Sequence, residues 1–395
     1  ITGLVFKFVL KPKKEDITIR EGLAIVAFWW MFCALFGALP YWFSGTCDTF
    51  CDSYFESMSG LTTTGASIFN DIEALPKGIL FWRSMTQWLG GMGIVVFFVA
   101  ILPTIGVGGH KLFSAEAPDL TTDKIKPRIA QTAKILWVIY LSLTAILIPF
   151  LWFGGMEFFD AVCHSFTTVS TGGFSTKNQS IAAFDSLFIE IVIMVFAFIA
   201  GCNFILYYQL VTGKFKKVLA NSEIRFFVSL MLCAICLITL ALFFFDSTSY
   251  NGGVKDHKYD SIGGSLRYAA FQAVSIMTSA GYCNADFDLW PDFCRVFLVL
   301  LMFIGGCAGS TAGGMKVARI MLLCKSGVRE LFHVLRPRAI MHVKLSGKPV
   351  SEDIITNTLG FIVINLGLFG VFSLILTIFG TELITSFSAI ASMMS

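Results

Sequence analysis

Leu61-Thr62-Thr63-Thr64-Gly65-Ala66-Ser67 is the stretch from which this chain can be read, because it recurs. Phe55, followed by an acid at Glu56, stands ten residues before Gly65. The same spacing from Phe271 reaches Gly281 in Met277-Thr278-Ser279-Ala280-Gly281-Tyr282. A third copy starts at Phe159-Asp160 and runs to Thr167-Thr168-Val169-Ser170-Thr171-Gly172-Gly173-Phe174. Pairing those anchors requires a short insertion, so Gly172 and Gly173 compete for the equivalent place. Each copy is a short amphipathic segment, then hydroxyl residues, then glycine, set between two long apolar runs. An internal repeat of this kind takes precedence over local assignments.

The physical reading is a cation filter. A short helix enters a membrane part-way and stops, and the extended chain after it must lie in protein or beside water. Glycine permits φ > 0, so successive carbonyls can point the same way. Several such loops around one axis form rings of oxygens that replace a cation's hydration shell. The short helices would aim their negative C-terminal ends at the same axis. One Thr-Thr-Thr-Gly alone reads as a helix C-cap and turn; its recurrence favours the filter.

The chain has 395 residues, is 56% hydrophobic and 14% charged, and has a mean hydropathy of +0.76. Soluble proteins carry about a quarter charged residues, so this is read as an integral membrane protein with several spans. The 41 phenylalanines suit lipid-facing surfaces and packing around short helices. Nucleic acid is not an expected partner. Ile1 to Leu10 has no basic leader or cleavage site. With no initiator methionine, the chain is expected to begin inside a longer protein. The 11 cysteines form no metal pattern. Cys233 and Cys236 lie in an apolar run and read as buried thiols. Cys47 and Cys51 share a short outer loop, where a disulfide is open.

The spans are expected at Gly22 to Phe43, Gly78 to Leu102, Ile135 to Phe153, Leu187 to Val211, Phe226 to Phe245, and Ile354 to Phe379. A further run from Phe293 to Leu323 is interrupted by Gly305-Gly306-Cys307-Ala308-Gly309-Ser310-Thr311-Ala312-Gly313-Gly314. Half-helices are expected at Phe50 to Leu61, Phe158 to Thr168, Ser265 to Met277 and Glu382 to Ser395. Residues 1–21 hold the end of a helix, Ile1 to Leu10, and a basic turn at Lys11-Pro12-Lys13-Lys14. Residues 22–134, 135–225 and 226–353 form three span–half-helix–span units, and 354–395 a partial fourth. A polar connection runs from Ile105 to Lys134, and a polar loop leads from Phe245 to Gly264.

Most of the 29 Lys and Arg residues fall in one set of loops. The exceptions are Lys77, Arg83, Lys177, Lys255, Lys258, Arg267 and Arg295. The basic loops are therefore read as cytoplasmic, and all half-helices dip from outside. The outer loops carry Asp48, Asp52, Asp71, Glu73, Asp286, Asp288 and Asp292, which either gather cations or are ordinary solvated charge. Arg83 is intramembrane and needs a partner, or sits at the outer interface. His164 reads as a packing histidine.

At this point the sequence resembles the superfamily of potassium transporters (Trk, Ktr and HKT), and within it the Trk-H-type membrane subunit. The resemblance rests on Phe55 to Gly65, on Cys163-His164-Ser165-Phe166-Thr167-Thr168 with Ser170 to Ser175, and on Gly305 to Lys316. Phe387-Ser388-Ala389-Ile390-Ala391 is similar to that family's fourth pore helix. The resemblance implies an all-α membrane fold of four pseudo-repeated span–pore-helix–span units around one central pore. It implies a multi-pass protein of a bacterial inner membrane, a homodimer, and a cytoplasmic nucleotide-binding regulatory subunit of Trk-A type. The fourth filter glycine and last span are absent, so the chain reads as a fragment.

The filter residues are then Thr63, Thr64 and Gly65; Ser170, Thr171, Gly172 and Gly173; and Ser279, Ala280 and Gly281. They are expected to hold dehydrated K⁺, with Rb⁺ accepted and looser K⁺/Na⁺ discrimination than a dedicated channel. The glycine-rich stretch, with Gly305, Gly306, Gly309, Ser310, Thr311, Gly313, Gly314 and Lys316, is read as a gating loop obstructing the pore, against static close packing. It lacks the Gly-Lys-Ser/Thr ending of a phosphate loop. No His-Glu-x-x-His or other catalytic grouping is present, so an enzyme is not expected. The alternative within transport is a Na⁺-coupled carrier of a small solute built on broken helices.

Overall fold

The computed structural model of the chain describes residues 19–105, 129–244, 259, 261–336, 341–345 and 348–395. The expected helix end and basic turn in 1–14, most of the 105–134 connection and the 245–258 loop lie outside them.

The first unit is α1 (Ile19–Gly37), continued by α2 (Leu39–Ser44), then the short α3 (Phe50–Leu61) and the long α4 (Lys77–Ile105). The second is α5 (Ile129–Phe153), the short α6 (Phe158–Val169), and α7 (Leu187–Ala200) with α8 (Phe204–Val211). The third is α9 (Ser222–Phe244), α10 (Ile262–Met277), α11 (Asp292–Met302) and α12 (Val317–Leu335). A small hairpin, β1 (Lys344–Leu345) and β2 (Lys348–Pro349), leads to α13 (Glu352–Ile378) and α14 (Leu383–Met394).

Local chemistry explains where the short helices begin. Thr49 caps α3, its hydroxyl accepting from Asp52 N at 3.1 Å, and Asp52 complements the positive end of the helix. Ser261 does the same for α10, accepting from Gly264 N at 3.0 Å. Neither short helix reaches the roughly 30 Å needed to cross a bilayer at 1.5 Å per residue.

Four helices among the described residues are long and apolar enough to cross a membrane: Ala24–Ser44, Ile135–Phe153, Ser222–Phe244 and Glu352–Ile378. Their outer faces are apolar, as at Phe28, Phe32 and Phe36 on α1 and Val363, Ile364 and Leu374 on α13, all exposed. Such surface suits lipid rather than water. Inside, Leu147, Leu151, Ile189, Ile193, Phe227, Ile238, Phe271 and Met277 form one buried core. The short helices are nested among the longer ones: α3 packs on α1 and α4; α6 on α4, α5 and α7; α10 on α9 and α7. Outside that core, Arg267 clamps α10 to α7 through Glu190 at 2.9 and 2.7 Å.

Two expectations need correction. Leu187 to Val211 is not one span but two helices bent by 96° at a short break. Gly201-Cys202-Asn203 is the cause, with Asn203 Oδ1 accepting from Ile205 N at 2.9 Å and starting α8 afresh. Cys233 and Cys236 are not buried; both lie exposed on the apolar outer face of α9. Cys47 and Cys51 are free thiols.

Candidate functional site

The loops that follow α3, α6 and α10 share one backbone conformation. In the first, Thr62 N, Thr63 N and Thr64 N donate to Met58 O, Gly60 O and Ser59 O at 2.8, 3.0 and 3.0 Å. In the second, Ser170 N, Thr171 N and Gly172 N donate to Phe166 O, Thr168 O and Thr167 O at 3.2, 3.1 and 2.9 Å. In the third, Thr278 N, Ser279 N and Ala280 N donate to Val274 O, Ile276 O and Ser275 O at 2.9, 3.0 and 2.8 Å. Thr63, Thr171 and Ser279 have φ of 57°, 55° and 56°, and Gly65, Gly173 and Gly281 have φ of 78°, 78° and 70°. A β-branched threonine at positive φ is an outlier, costing of order 1–3 kcal/mol and found where function demands it.

This pattern resolves the competition between Gly172 and Gly173. Gly173 matches Gly65 and Gly281, while Gly172 matches Thr64 and Ala280. It also removes the expected insertion, because Phe50 to Gly65 and Phe158 to Gly173 are equal stretches. Asp160 therefore corresponds to Asp52, and Glu56 corresponds to His164 and Gln272. The error came from anchoring on a Phe-acid pair rather than on the helix start.

The three loops abut in chain order. A Cβ built on Gly65 would meet Gly172 O at 2.5 Å, and one on Gly173 would overlap Ala280 O. One on Gly281 meets nothing within 4 Å. The residue after each later glycine leans back on the previous unit. Phe174 lies 4.2 Å from the Arg83 guanidinium, centroid to Cζ, and Tyr282 Oη reaches Thr167 and Thr168 Oγ1 at 2.5 and 3.1 Å.

The sequence reading left Arg83 without a named partner. It is fully buried, with Nε donating to Glu56 Oε1 at 2.7 Å, Nη2 to Ser67 Oγ at 3.0 Å and Nη1 to Ser175 O at 3.4 Å. Glu56 also accepts from Ile68 N and Ser67 Oγ, both at 3.1 Å. Gln87, one turn along α4, was missed. Its Nε2 donates to Gly172 O at 2.6 Å and its Oε1 accepts from Phe174 N at 3.0 Å. His164 is a packing histidine, held by Asp160 O at 2.8 Å and Ser175 Oγ at 3.0 Å.

The glycine-rich stretch breaks the third unit's outgoing helix between α11 and α12, as its composition predicts. Gly305, Gly309, Gly314 and Lys316 have φ of 70°, 71°, 75° and 69°. The loop docks on the break between α7 and α8. Cys307 N donates to Gly201 O at 2.9 Å, Phe204 N to Gly309 O at 3.1 Å, and Thr311 N to Ala200 O at 3.4 Å. Thr311 Oγ1 contacts Val169 O and Ala200 O, both at 3.2 Å, which joins the stretch to the end of α6. Ala308 N donates to Glu223 Oε1 at 2.6 Å, and Lys316 Nζ caps Ala312 O. Gly306 abuts Ala312 and Ser310 lies buried against the Cys307 carbonyl; a Cβ on Gly313 would overlap Ser395 O. The α7–α8 break that receives the loop was missed; Asn203 after Gly201 was the available signal.

Several of the outer acids have local partners. Asn178 joins the first two loops, donating from Nδ2 to Asp71 Oδ1 at 2.9 Å and accepting from Ile72 N at 2.6 Å. That donation holds the Asp71 carboxyl below the usual range. Asp292 pairs with Arg295 at 3.0 Å. No group of three or more His, Cys, Asp or Glu among the described residues is placed to hold a metal.

A family model described as a cation transport protein, TrkH, matches residues 2–395. The Trk system potassium uptake protein TrkH of Salmonella typhimurium is 44% identical over 362 residues, 91% of this chain and 73% of that protein. The Trk system potassium uptake protein TrkG of Escherichia coli K12 is 34% identical over 388 residues, 98% and 78% of the two chains. Among solved structures, that of the potassium transporter TrkH from Vibrio parahaemolyticus superposes with a TM-score of 0.81 at 38% identity, covering 96% of this chain and 76% of that one. These relatives are bacterial and are named as transport proteins, not enzymes. Agreement in sequence and in fold over nearly the whole length leads to one assignment: the chain belongs to the TrkH family of cation transport proteins.

Proposed function

We propose that this chain forms the membrane pore of a bacterial potassium uptake system. The observation that carries the reading is the repeated loop. Three hydroxyl-rich segments hold the same left-handed kinks and abut one another through a glycine of one and a carbonyl oxygen of the next. K⁺ sheds water and is held by oxygens of Thr63 to Gly65, Ser170 to Gly173 and Ser279 to Gly281. Rb⁺ is accepted. Uptake runs down the membrane potential, worth about 2.3 kcal/mol per charge per 100 mV.

The glycine-rich loop from Gly305 to Gly314 is the gate. Its docking on the α7–α8 break and on Val169 supports this, because a shift there reaches the base of the second loop directly. The family resemblance adds a homodimer and a Trk-A-type nucleotide-binding subunit on the cytoplasmic side, where most basic residues lie. Its fold of four pseudo-repeated units around one pore is supported by the three matching helix–loop segments.

One observation favours the alternative, a Na⁺-coupled carrier of a small solute: two broken spans face each other. Each break, however, satisfies the other's backbone groups. Radioactive Rb⁺ uptake into liposomes holding the full-length protein separates the readings. Strong competition by K⁺ and weak competition by Na⁺ and Li⁺ is expected. Uptake that requires Na⁺ and is indifferent to K⁺ overturns the filter.

A further inference from the structure

The first two loops meet on one face of α4, and a filter of backbone oxygens does not by itself require that face to be polar. Arg83, Thr86, Gln87, Gly90 and Gly91 follow helical spacing. Gly90 admits the Leu61 carbonyl and Gly91 admits Ser170 at 2.7 Å from a built Cβ. Above these close seats, Gln87 grips the second loop on both sides of Gly173, at Gly172 O and Phe174 N. Arg83 spans both loops, through Ser67 and Ser175.

The second unit lacks this face. Gly91 against Ser170 and Gly201 against Thr278 are matching seats, so Arg83 and Gln87 correspond to Ile193 and Ala197 on α7. Both of these are buried and apolar. Only the second loop has a side-chain amide on the carbonyl of the residue before its glycine, among the described contacts. That amide draws charge from the Gly172 oxygen and fixes its position. Both the field strength of the oxygens and the size of the cage they form are accounts of how a filter separates K⁺ from Na⁺, and a fixed Gly172 oxygen bears on each.

We propose that Gln87, with Arg83 behind it, is a specificity-determining positioning residue: it holds the second loop rigid against the first and so sets the preference for K⁺ over Na⁺. This rests on the filter reading of the loops.

The test uses the full-length protein in liposomes. The readout is the ratio of Na⁺ to K⁺ concentrations that halve Rb⁺ uptake, measured for Gln87→Met, Gln87→Glu and, in parallel, Gly65→Ala. Gln87→Met keeps the volume without polar atoms; Gln87→Glu keeps the acceptor for Phe174 N and removes the donor to Gly172 O. Loss of the hydrogen bond is expected to lower the ratio about tenfold in both. A shift in Gly65→Ala with the ratio unchanged in both Gln87 variants overturns the proposal and leaves the filter standing. No shift in any variant removes the filter reading itself. A variant too inactive for uptake is read in detergent by the K⁺ and Na⁺ concentrations that half-protect it from thermal unfolding. An unchanged ratio there makes Gln87 merely structural and also overturns the proposal.

Discussion

Arg83 Nε lies 2.7 Å from Glu56 Oε1, and neither side chain has more than 1% of its surface exposed. The pair links α4 to α3 directly behind the first loop. Taking two charges from water is costly, and removing one partner leaves the other buried and uncompensated. Glu56→Gln or Arg83→Met is expected to destabilise by about 3–5 kcal/mol. The double variant Glu56→Gln with Arg83→Met is expected to recover most of that loss, because a neutral pair carries no desolvation penalty of this kind. Thermal unfolding in detergent measures both. A double variant as unstable as the two singles summed would show that the charges are not what matters.

The glycines separate strain from contact. Gly173 and Gly281 have φ of 78° and 70°, so an L side chain at either is strained by about 1–2 kcal/mol. Only Gly173 also faces a neighbouring carbonyl, Ala280 O. Gly173→Ala is therefore expected to abolish discrimination between K⁺ and Na⁺ in Rb⁺ competition, and Gly281→Ala to weaken it less. Equal effects would mean that strain alone governs the site.

Much of this was legible in the sequence. Phe50 to Leu61 matches the observed helix to the residue, and the Thr-Gly turn that follows marks its end. The break at Gly305 to Gly314 followed from composition. The copy at Phe159-Asp160 was misaligned because Glu56 and Asp160 are both acids, yet they occupy different turns of their helices. Gln87 was invisible for another reason. A lone glutamine in an apolar run has no signature; its two partners, Gly172 and Phe174, are distant in sequence and come together only when α4 and α6 pack. The same holds for the α7–α8 break, whose freed carbonyls have meaning only once Cys307 and Thr311 arrive.

Four hydrogen bonds hold the glycine-rich loop to the α7–α8 break, so weakening one is expected to favour its release. Thr311→Val removes the hydroxyl shared by Val169 O and Ala200 O while keeping the shape. A hydrogen bond is worth about 0.5–1.5 kcal/mol net. Basal Rb⁺ uptake without any cytoplasmic subunit is expected to rise by about three- to tenfold. Unchanged or lower uptake would argue that the loop is static packing.

The same junction offers a chemical brake. Cys307 N donates to Gly201 O at 2.9 Å, which brings Cys307 beside Cys202, and both are buried free thiols. A mild added oxidant such as a copper–phenanthroline complex can take two electrons, with loss of two protons, to join the sulfurs. The bond would fasten the loop to the α7–α8 break and prevent the release that Thr311→Val promotes. Rb⁺ uptake is expected to fall on oxidation and return with dithiothreitol, and Cys202→Ser is expected to be unaffected. The exposed thiols of Cys51, Cys233, Cys236 and Cys324 remain in that variant, so they serve as the internal control. If oxidation inhibits Cys202→Ser equally, the effect arises at one of those surface cysteines and the loop is not the moving part.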